Sequence, residues 1–384
     1  MWSSISSSKR ELIRSFLNTI NLEIVKRARP SSVFNFQSAS VGNLFLTGAR
    51  LFTGSFESAI YLLGSITGVP ANVHVIPAIN SNFSHHISAG LEDGSVITGQ
   101  NAISHPLPSI SSSSIQSSAN PTALTSPSTT VLDSVPVSPH TQTRRISREL
   151  SEHDRVEDAN LPGSLPTLRK QYITFHKSET EDLSSRIERI WYINPYGQEI
   201  RPAPNQAVLD ALGEASAVIY SIGSLYTSVI PSLILRDVGA AVGNPRIRFK
   251  ILILNGSLDR ETRAINFLFG AKEFVKAVAD ACFHSSGSGS GKSSVTGCKP
   301  SDWKNYVTHV VHLNGEGTPK VERDELATLG VECVRIYGRK PEGGEGMLYD
   351  GNALRGALEA ILGGLRRGET KDGLSRRNTL NITG

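Results

Sequence analysis

The stretch from Ala217 to Ile234 constrains the fold more than any other part of this chain of 384 residues. It begins with the short apolar run Ala217–Tyr220, which lies between small polar residues and is typical of a buried strand. The pair Gly223-Ser224 interrupts the run, and apolar residues then recur at helical spacing from Leu225 onward. The sequence therefore predicts a strand, a tight turn and a helix in direct succession.

The turn between this strand and this helix is a candidate anion site. A helix N-terminus presents unpaired N–H groups and the positive end of the helix dipole, which suit a phosphate group. Hydroxyl donors lie at Ser224, Thr227 and Ser228, and Gly223 lets a ligand approach the backbone. Short Gly-rich turns also occur in ordinary strand–helix connections, so a purely structural role for Gly223 and Ser224 stays open.

The order of residues in this stretch resembles the signature of a known family. Ser221-Ile-Gly-Ser-Leu-Tyr-Thr-Ser-Val-Ile-Pro231 resembles the Gly-Pro-Gly-Ser-Leu-Tyr-Thr-Ser-(Val/Ile)-Ile-Pro signature of the CofD/YvcK (UPF0052) family. That family contains 2-phospho-L-lactate transferases of deazaflavin cofactor synthesis and gluconeogenesis factors that bind nucleotide sugars. The resemblance covers about residues 5–105 and 186–365. It implies that a nucleotide or nucleotide sugar is bound by Gly223, Ser224, Leu225, Tyr226, Thr227 and Ser228.

Two segments nearer the N-terminus add binding candidates. Val41-Gly-Asn-Leu-Phe-Leu46 resembles a Val-Gly-Asn-Leu-(Phe/Ile)-Leu block that lies near the ligand in the family, which makes Gly42 and Asn43 candidates. Helix capping by Asn43 is the structural alternative. Asn80 follows the β-branched segment Val73–Pro77, which predicts a strand running into a turn, and is a further candidate.

A third group of candidates follows the apolar run Phe249–Leu254. Asn255 comes at the end of this predicted strand, where open α/β sheets bind their ligands. The family has a Gly-Glu-Thr shortly after its equivalent asparagine. Here Glu261-Thr262 match the last two residues of that motif, and Arg260 stands in place of the glycine.

The composition divides the chain into four parts. Residues 1–105 and 186–366 are predicted to form the two parts of a CofD-like domain, and 367–384 a flexible tail. Residues 106–185 are rich in Ser and Pro and have no apolar periodicity. Such a segment buries too little apolar area to offset the entropy of ordering it, so it is predicted to be a long disordered insert.

The order of the predicted elements indicates the fold class. Helical patterns cover residues 5–27 and Phe56–Ile66, and a hairpin is predicted around the turn Leu91-Glu-Asp-Gly94. From residue 186 onward, strands alternate with helices. This pattern predicts an α/β protein with a mainly parallel, Rossmann-like sheet flanked by helices.

Histidines, cysteines and the Gly/Ser-rich segment do not form a recognisable metal or phosphate motif. His85 and His86 are adjacent and would point to opposite faces of a strand. Gly287-Ser-Gly-Ser-Gly-Lys-Ser293 lacks the spacing of a phosphate-binding loop and the strand that should precede it, so it is interpreted as a surface loop. No metal site is predicted from the residues, although the resemblance implies Mg²⁺ as a cofactor.

Charge, hydropathy and cysteine content limit the partners. A formal net charge of +4 does not indicate nucleic-acid binding, and no apolar run is long enough to span a membrane. Three cysteines without paired spacing favour a reducing compartment, and a cytoplasmic location is expected. The resemblance adds self-association as an expectation.

Several family motifs do not occur in this sequence. They are a Gly-Gly-Gly-Thr-Gly or Gly-Gly-Thr loop, an Asp-Asp-Gly-Gly-Ser block and a Gly-Asp-Ile-Arg block. The first phosphate-loop unit is therefore expected to be missing, either because the sequence is shortened or because the chemistry is lost. Two functions stay open: a CofD-type phosphotransferase acting on a nucleotide-diphosphate-linked donor, and a non-catalytic regulator that binds nucleotide sugars. A scaffold that binds partners through the insert is a third.

Overall fold

The computed structural model describes residues 5–27, 39–81, 85–105, 165, 168, 182–264, 267–287, 297–342 and 346–363. The α-helices of these parts are α1 (Ser7–Arg27), α2 (Val41–Thr53), α3 (Phe56–Thr67), α4 (Gln100–Ser104), α5 (Gln206–Glu214), α6 (Ile230–Leu233), α7 (Val238–Val242), α8 (Ala271–Ser285), α9 (Arg323–Thr328) and α10 (Gly351–Leu362).

The strands are β1 (His86–Leu91), β2 (Val96–Thr98), β3 (Ile187–Ile193), β4 (Glu199–Ile200), β5 (Ala217–Tyr220), β6 (Phe249–Ile253), β7 (Arg263–Ala264), β8 (Phe267–Leu268), β9 (His309–His312), β10 (Glu332–Arg335), β11 (Gly338–Arg339) and β12 (Leu348–Tyr349). A π turn spans Leu225–Val229, and 3₁₀ turns span Arg260–Thr262 and Pro300–Asn305.

A four-stranded parallel sheet forms the centre of the fold. Its order is β10-β9-β6-β5, and all three neighbouring pairs are parallel. Ile251, Leu252 and Ile253 of β6 are all buried, because both faces of the sheet are covered. The prediction of an α/β fold with a parallel sheet flanked by helices is confirmed.

Helices pack on both faces of this sheet. Leu252 and Val310 on one face share a buried cluster with Phe274 and Val278 of α8. Ile251, Ile253 and Val311 on the other face pack against Leu354 and Leu358 of α10. On the first face, α7 crosses α8 so closely that a Cβ on Gly239 would lie 1.7 Å from the Cys282 carbonyl oxygen. Only glycine fits at that crossing.

A second sheet is antiparallel, with the order β2-β1-β3-β4. The predicted hairpin is confirmed: β1 pairs with β2, and Gly94 closes the turn with φ of +83°. β1 also pairs with β3, which lies beyond the predicted insert, so the two flanks of the insert lie side by side. The sequence predicted a mainly parallel sheet and did not show that these four strands form a second, antiparallel sheet.

The predicted insert lies almost wholly outside the described residues. The residues of 106–185 that the structure describes include Leu165 and Leu168, which pack against Trp191 and Ile193 of β3, and Leu183. Leu183 is buried and bridges to Ala264. The segment Gly287–Ser293 falls outside the described residues apart from Gly287.

Helices α1, α2 and α3 form a separate small cluster around Phe16, Phe45, Ala49 and Ala59. The helices predicted within 5–27 and from Phe56 are confirmed. The strand predicted at Val73–Pro77 is wrong, since this segment is irregular and the side chains of Val73 and Val75 are exposed. A β-branched composition does not make a strand where no neighbouring strand pairs with it. Within the described residues, no helix is long and apolar enough to cross a membrane.

Candidate functional site

The carboxyl ends of the four parallel strands lie at one edge of the central sheet. Tyr220 of β5 is in register with Leu252 of β6, so the segment Ser221–Ser224 and Asn255 leave the sheet side by side. Ligands of open α/β sheets bind outside this edge. The prediction that Asn255 follows the end of a buried strand is confirmed.

Two further residues follow strands at the same edge, and neither was among the predicted site residues. Asn314 comes shortly after β9 and is exposed. Tyr337 comes shortly after β10 and is 83% exposed. An isolated Asn or Tyr after a strand is too common a pattern to stand out, which is why only the sheet order identifies them.

The predicted helix after the Gly223-Ser224 turn is present, but it begins with a π turn. The N–H groups of Ser228 and Val229 both donate to the Ser224 carbonyl, at 3.0 and 3.2 Å, and α6 continues the helix from Ile230. Pro231 lies in the first turn of α6 and has no N–H to donate. A π turn is wider than an α turn and is frequent at functional sites.

Gly223 is required by the packing of the turn itself. A Cβ at this position would lie 2.7 Å from the Cβ of Ser228 and 3.2 Å from its hydroxyl oxygen. The structural role that the sequence left open for Gly223 is therefore present. Ser224 does not cap the helix with its side chain.

A buried carboxylate of the chain itself occupies the start of this helix. Glu261 is 2% exposed, and its Oε2 accepts the N–H groups of Tyr226 and Thr227 at 2.8 and 3.0 Å. Its Oε1 accepts the hydroxyl of Ser104 at 2.8 Å and that of Thr227. Ser104, at the end of α4, was missed because nothing in the sequence links it to residues more than a hundred positions away.

The ionisation of Glu261 reflects two opposing effects. Burial raises the pKa of Glu261 above its usual range, because a charged carboxylate loses its hydration inside the protein. The hydrogen bonds from Thr227, Ser104 and Tyr226 stabilise the charged form and lower the pKa. Burial together with the nearby charge of Asp259 outweighs them, so the pKa is raised.

Three other predicted binding residues direct their side chains into the protein. Thr262 and Asp259 form a reciprocal capping box, in which the Thr262 hydroxyl donates to the Asp259 carboxylate at 2.8 Å. The side chains of Leu225 and Tyr226 are buried in the main core, and the Tyr226 hydroxyl donates to the Ile187 carbonyl at 3.0 Å. Binding of a ligand by these side chains stays a prediction.

The backbone donors without an acceptor among the described residues, together with nearby hydroxyls and Asn255, define what we call the edge site. Among the described residues, the hydrogen bonds leave the N–H groups of Ser224 and Leu225 without a protein acceptor. Ser221 and Ser228 are exposed, and Asn255 is half-buried. The edge site thus offers two backbone donors, the hydroxyls of Ser221, Ser224 and Ser228, and the Asn255 amide.

The segment around β12 holds the loop that carries Asn255. The Tyr349 hydroxyl donates to the Leu254 carbonyl at 2.6 Å, and the Met347 N–H donates to the Gly256 carbonyl at 2.7 Å. A Cβ on Gly256 would lie 1.9 Å from the Met347 carbonyl oxygen, so glycine is needed for this contact. These bonds fix the backbone on both sides of Asn255.

Gly42 and Asn43 lie in the exposed first turn of α2, in the three-helix cluster. Ser40 is the N-cap of α2 and accepts the Asn43 N–H at 3.5 Å, so Asn43 is not the capping residue. Its role in ligand binding stays a prediction.

Asn80 is exposed, in a loop that contacts the start of α5. The Ala78 carbonyl of this loop accepts the Asn205 N–H at 2.8 Å. Asn205 caps α5 with Oδ1, and its buried Nδ2 has no hydrogen-bond partner among the residues that the structure describes. This buried donor was not predicted, because an asparagine before a helix indicates only a cap.

The described residues contain no group of three or more His, Cys, Asp or Glu side chains that could hold a metal ion. His86 is buried in β1, while His85 packs its ring against Tyr192 at 6.1 Å between centroids. Cys282, Cys298 and Cys333 are free and buried. In this part of the chain the donor set does not fit the Mg²⁺ that the resemblance implied.

The fold is that of an α/β protein with a parallel sheet flanked by helices, and sequence comparison identifies its family. The model of the CofD family, described as 2-phospho-L-lactate transferase CofD, matches residues 23–334. The chain belongs to this family. A Saccharomyces cerevisiae protein, "Uncharacterized protein YNL011C", is 36% identical over 342 residues, which cover 88% of this chain and 73% of the yeast protein.

Solved structures share the fold. A crystal structure of BH3568 from Bacillus halodurans, a member of the UPF0052 family, matches with 17% identity and a TM-score of 0.50, covering 91% of this chain and 82% of that chain. A second crystal structure of BH3568 matches with 16% identity and a TM-score of 0.49, covering 93% and 82%. The predicted CofD-like fold is confirmed.

Proposed function

We propose that this chain is a CofD-type phosphotransferase that binds a nucleotide-diphosphate-linked donor at the edge site. The observation that carries the proposal is that β5 and β6 are adjacent and in register, and that the segments leaving them carry the Ser224 and Leu225 N–H groups and Asn255. Membership of the CofD family supports the reaction class.

The chemistry of the edge site suits the phosphate part of such a donor. Phosphate oxygens accept hydrogen bonds from backbone N–H groups and hydroxyls, and the edge site offers both kinds of donor. In the proposed reaction an acceptor hydroxyl oxygen forms a bond to the phosphorus, while the bond from that phosphorus to the leaving nucleotide breaks. The acceptor hydroxyl loses its proton, and the leaving phosphate group takes up negative charge. Catalysis of this type is mainly positioning and charge stabilisation.

No step is assigned to Mg²⁺, because the described donor set does not fit a metal. The contribution of the described residues is to bind and orient the donor. A cytoplasmic location and self-association remain parts of this proposal rather than findings.

A non-catalytic regulator that binds nucleotide sugars is the second candidate. The observation that favours it is the neutral character of the edge site, whose donors are backbone N–H groups, hydroxyls and an amide. Such groups hold a diphosphate, but they do not by themselves neutralise the charge that develops during transfer.

Donor consumption separates the two candidates. The purified chain is titrated with UDP-glucose, UDP and GDP in a calorimeter, and a bound donor is then incubated with and without hydroxyl acceptors and followed by phosphorus NMR. Consumption that depends on an acceptor supports the transferase. Binding without consumption supports the regulator, and the absence of binding to all three compounds contradicts both.

Variants connect the binding to the edge site. Asn255→Ala and the double variant Ser224→Ala/Ser228→Ala are expected to weaken binding, since both remove accessible hydrogen-bonding groups. Ser301→Ala, on the exposed 3₁₀ turn Pro300–Asn305, is the matched control and should bind as the wild type does. Unchanged binding in both edge-site variants would place the ligand elsewhere.

A further inference from the structure

We propose that Glu261 is a positioning residue of the edge site, which orders the turn after β5 from inside the protein and does not contact the ligand. The inference rests on the proposed function. It assigns Glu261 differently from the family resemblance, which implied that this residue binds the nucleotide.

The first support is the set of donors that surround the carboxylate. Oε2 accepts two successive backbone N–H groups, those of Tyr226 and Thr227, and Oε1 accepts the hydroxyls of Thr227 and Ser104. These donors come from the π turn and from α4, whereas Glu261 belongs to the 3₁₀ turn Arg260–Thr262. One side chain therefore joins three segments that are far apart in the sequence.

The second support is burial. Glu261 is 2% exposed, and all four of these donors belong to the protein. A phosphate could reach the N–H groups of Tyr226 and Thr227 only by displacing this carboxylate, which would leave a buried charge without partners. These two N–H groups are therefore structural.

These contacts divide the N–H groups at the start of the helix into two pairs. The N–H groups of Ser224 and Leu225, which precede the two bound by Glu261, are free of protein acceptors among the described residues. Their direction is coupled to the backbone of Tyr226 and Thr227, because planar peptide units are linked through only two soft dihedral angles per residue. Glu261 therefore limits the orientations open to the two donors that would face a diphosphate.

The negative charge of Glu261 has the opposite effect on phosphate binding from its positioning of the backbone. A carboxylate at a helix N-terminus offsets part of the positive end of the dipole. If charge mattered more than position, removing it would strengthen the binding of a phosphate ligand. The two effects therefore predict opposite outcomes for the same substitution.

Glu261→Gln is the decisive variant, because it keeps the size of the side chain and removes its charge. The glutamine amide nitrogen is a donor, so the side chain no longer accepts from both the N–H pair and the hydroxyl pair. Affinities of the full chain for UDP and GDP, and for uridine and guanosine, are measured by calorimetry. The variant should bind the diphosphates about tenfold more weakly, a change of about 1.4 kcal/mol, and the nucleosides as the wild type does.

Glu273→Gln is the matched control. Glu273 accepts the Gly270 N–H at the start of α8 and is not part of the edge site. Glutamine also serves at this position of a capping box, so diphosphate affinity should not change. A purely structural role of Glu261 would lower the affinity for nucleosides and diphosphates alike, which the paired ligands detect.

The outcomes separate this inference from the proposed function. If the wild type binds neither diphosphate, the proposed function fails, and the inference fails with it. If the wild type binds and folded Glu261→Gln binds equally well or more tightly, only the inference is overturned. Should that variant not fold, Thr227→Val removes one hydroxyl donor to Glu261 and must lower diphosphate affinity selectively, or the inference is wrong.

Discussion

The helix starts at α8 and at the π turn after β5 are both closed by a carboxylate, and they differ in where that carboxylate comes from. At α8, Glu273 in the first turn of the helix accepts the Gly270 N–H at 2.8 Å. At the π turn after β5, Glu261 accepts the Tyr226 and Thr227 N–H groups from 35 and 34 residues away in sequence. The first contact caps only the start of α8, whereas the second also joins the helix after β5 to α4 and to the Arg260–Thr262 turn.

The difference decides which N–H groups of a helix start keep a protein acceptor and which do not. A local cap such as Glu273 moves with its own helix and stabilises only that helix. The remote carboxylate of Glu261 accepts the later N–H groups of its turn and leaves those of Ser224 and Leu225 without an acceptor among the described residues. The backbone of the edge site is therefore anchored by tertiary contacts.

The largest effect is expected for Glu261→Ala. The substitution leaves the N–H groups of Tyr226 and Thr227 without their acceptor in a site where water has little access. Each unsatisfied buried donor costs about 1–3 kcal/mol, so a loss of about 3 kcal/mol or more in unfolding free energy is expected. Urea unfolding followed by circular dichroism measures it. A loss no larger than that of Glu273→Ala would contradict the distinction between the two helix starts.

Gly223→Ala tests the crowding at the same turn. The new methyl group would lie 2.7 Å from the Ser228 Cβ, and overpacking of this kind costs about 1–3 kcal/mol. Urea unfolding of the variant measures the loss. The double variant Gly223→Ala/Ser228→Gly removes the clash and should recover most of the stability. If it does not recover, the steric explanation for Gly223 is wrong.

The pH dependence of stability should differ between the wild type and Glu261→Gln. Burial raises the pKa of Glu261 above its ordinary value of 4.5, so the unfolded chain releases this proton first as the pH rises. The stability that Glu261 contributes is full below that ordinary value and is lost as the pH rises through the folded-state pKa. The wild type should therefore lose stability relative to Glu261→Gln over this window, by about 1.4 kcal/mol per unit of pKa shift.

Urea unfolding at a series of pH values measures this difference. Thr227→Val removes a hydrogen bond that lowers the pKa of Glu261, so it should move the window to higher pH. A constant difference between the wild type and Glu261→Gln across the series would show that the carboxyl group has the same pKa in the folded and unfolded chains.

The smallest effect is expected for Glu273→Ala. It removes a local capping contact on a half-buried side chain, and such caps contribute about 1 kcal/mol. Thermal unfolding measures this loss, and the affinity for UDP should equal that of the wild type. A loss of UDP binding would mean that α8 and the edge site are coupled. The distinction between a local cap at α8 and a remote carboxylate at the π turn would then be wrong.

Much of the fold follows from local patterns. The strand Ala217–Tyr220, the helix after it and the hairpin around Gly94 were predicted because their periodicity and turn residues lie within a few positions. The position of Asn255 at the end of β6 follows from the same reasoning. By contrast, the segment Val73–Pro77 has the composition of a strand and lacks a partner strand.

The candidate site was predicted only in part. Sequence placed the turn after β5 and Asn255 correctly at the ends of two strands, but it could not show that these strands are neighbours or which groups lack an acceptor. Glu261 was named for its place in a motif, and its four donors include Ser104, which had no motif at all. The sequence left two roles open for Asn43, ligand binding and helix capping. The structure excludes capping, because Ser40 caps α2.

The sequence by itself determined the elements whose forces act over three or four residues, such as capping, turn geometry and the apolar faces of helices and strands. Only the tertiary structure decided that β1 pairs with β3 across the insert and that Glu261 occupies the start of the helix after β5. The physical reason is that a buried carboxylate needs several donors at one point, and those donors are gathered by the packing of the whole chain.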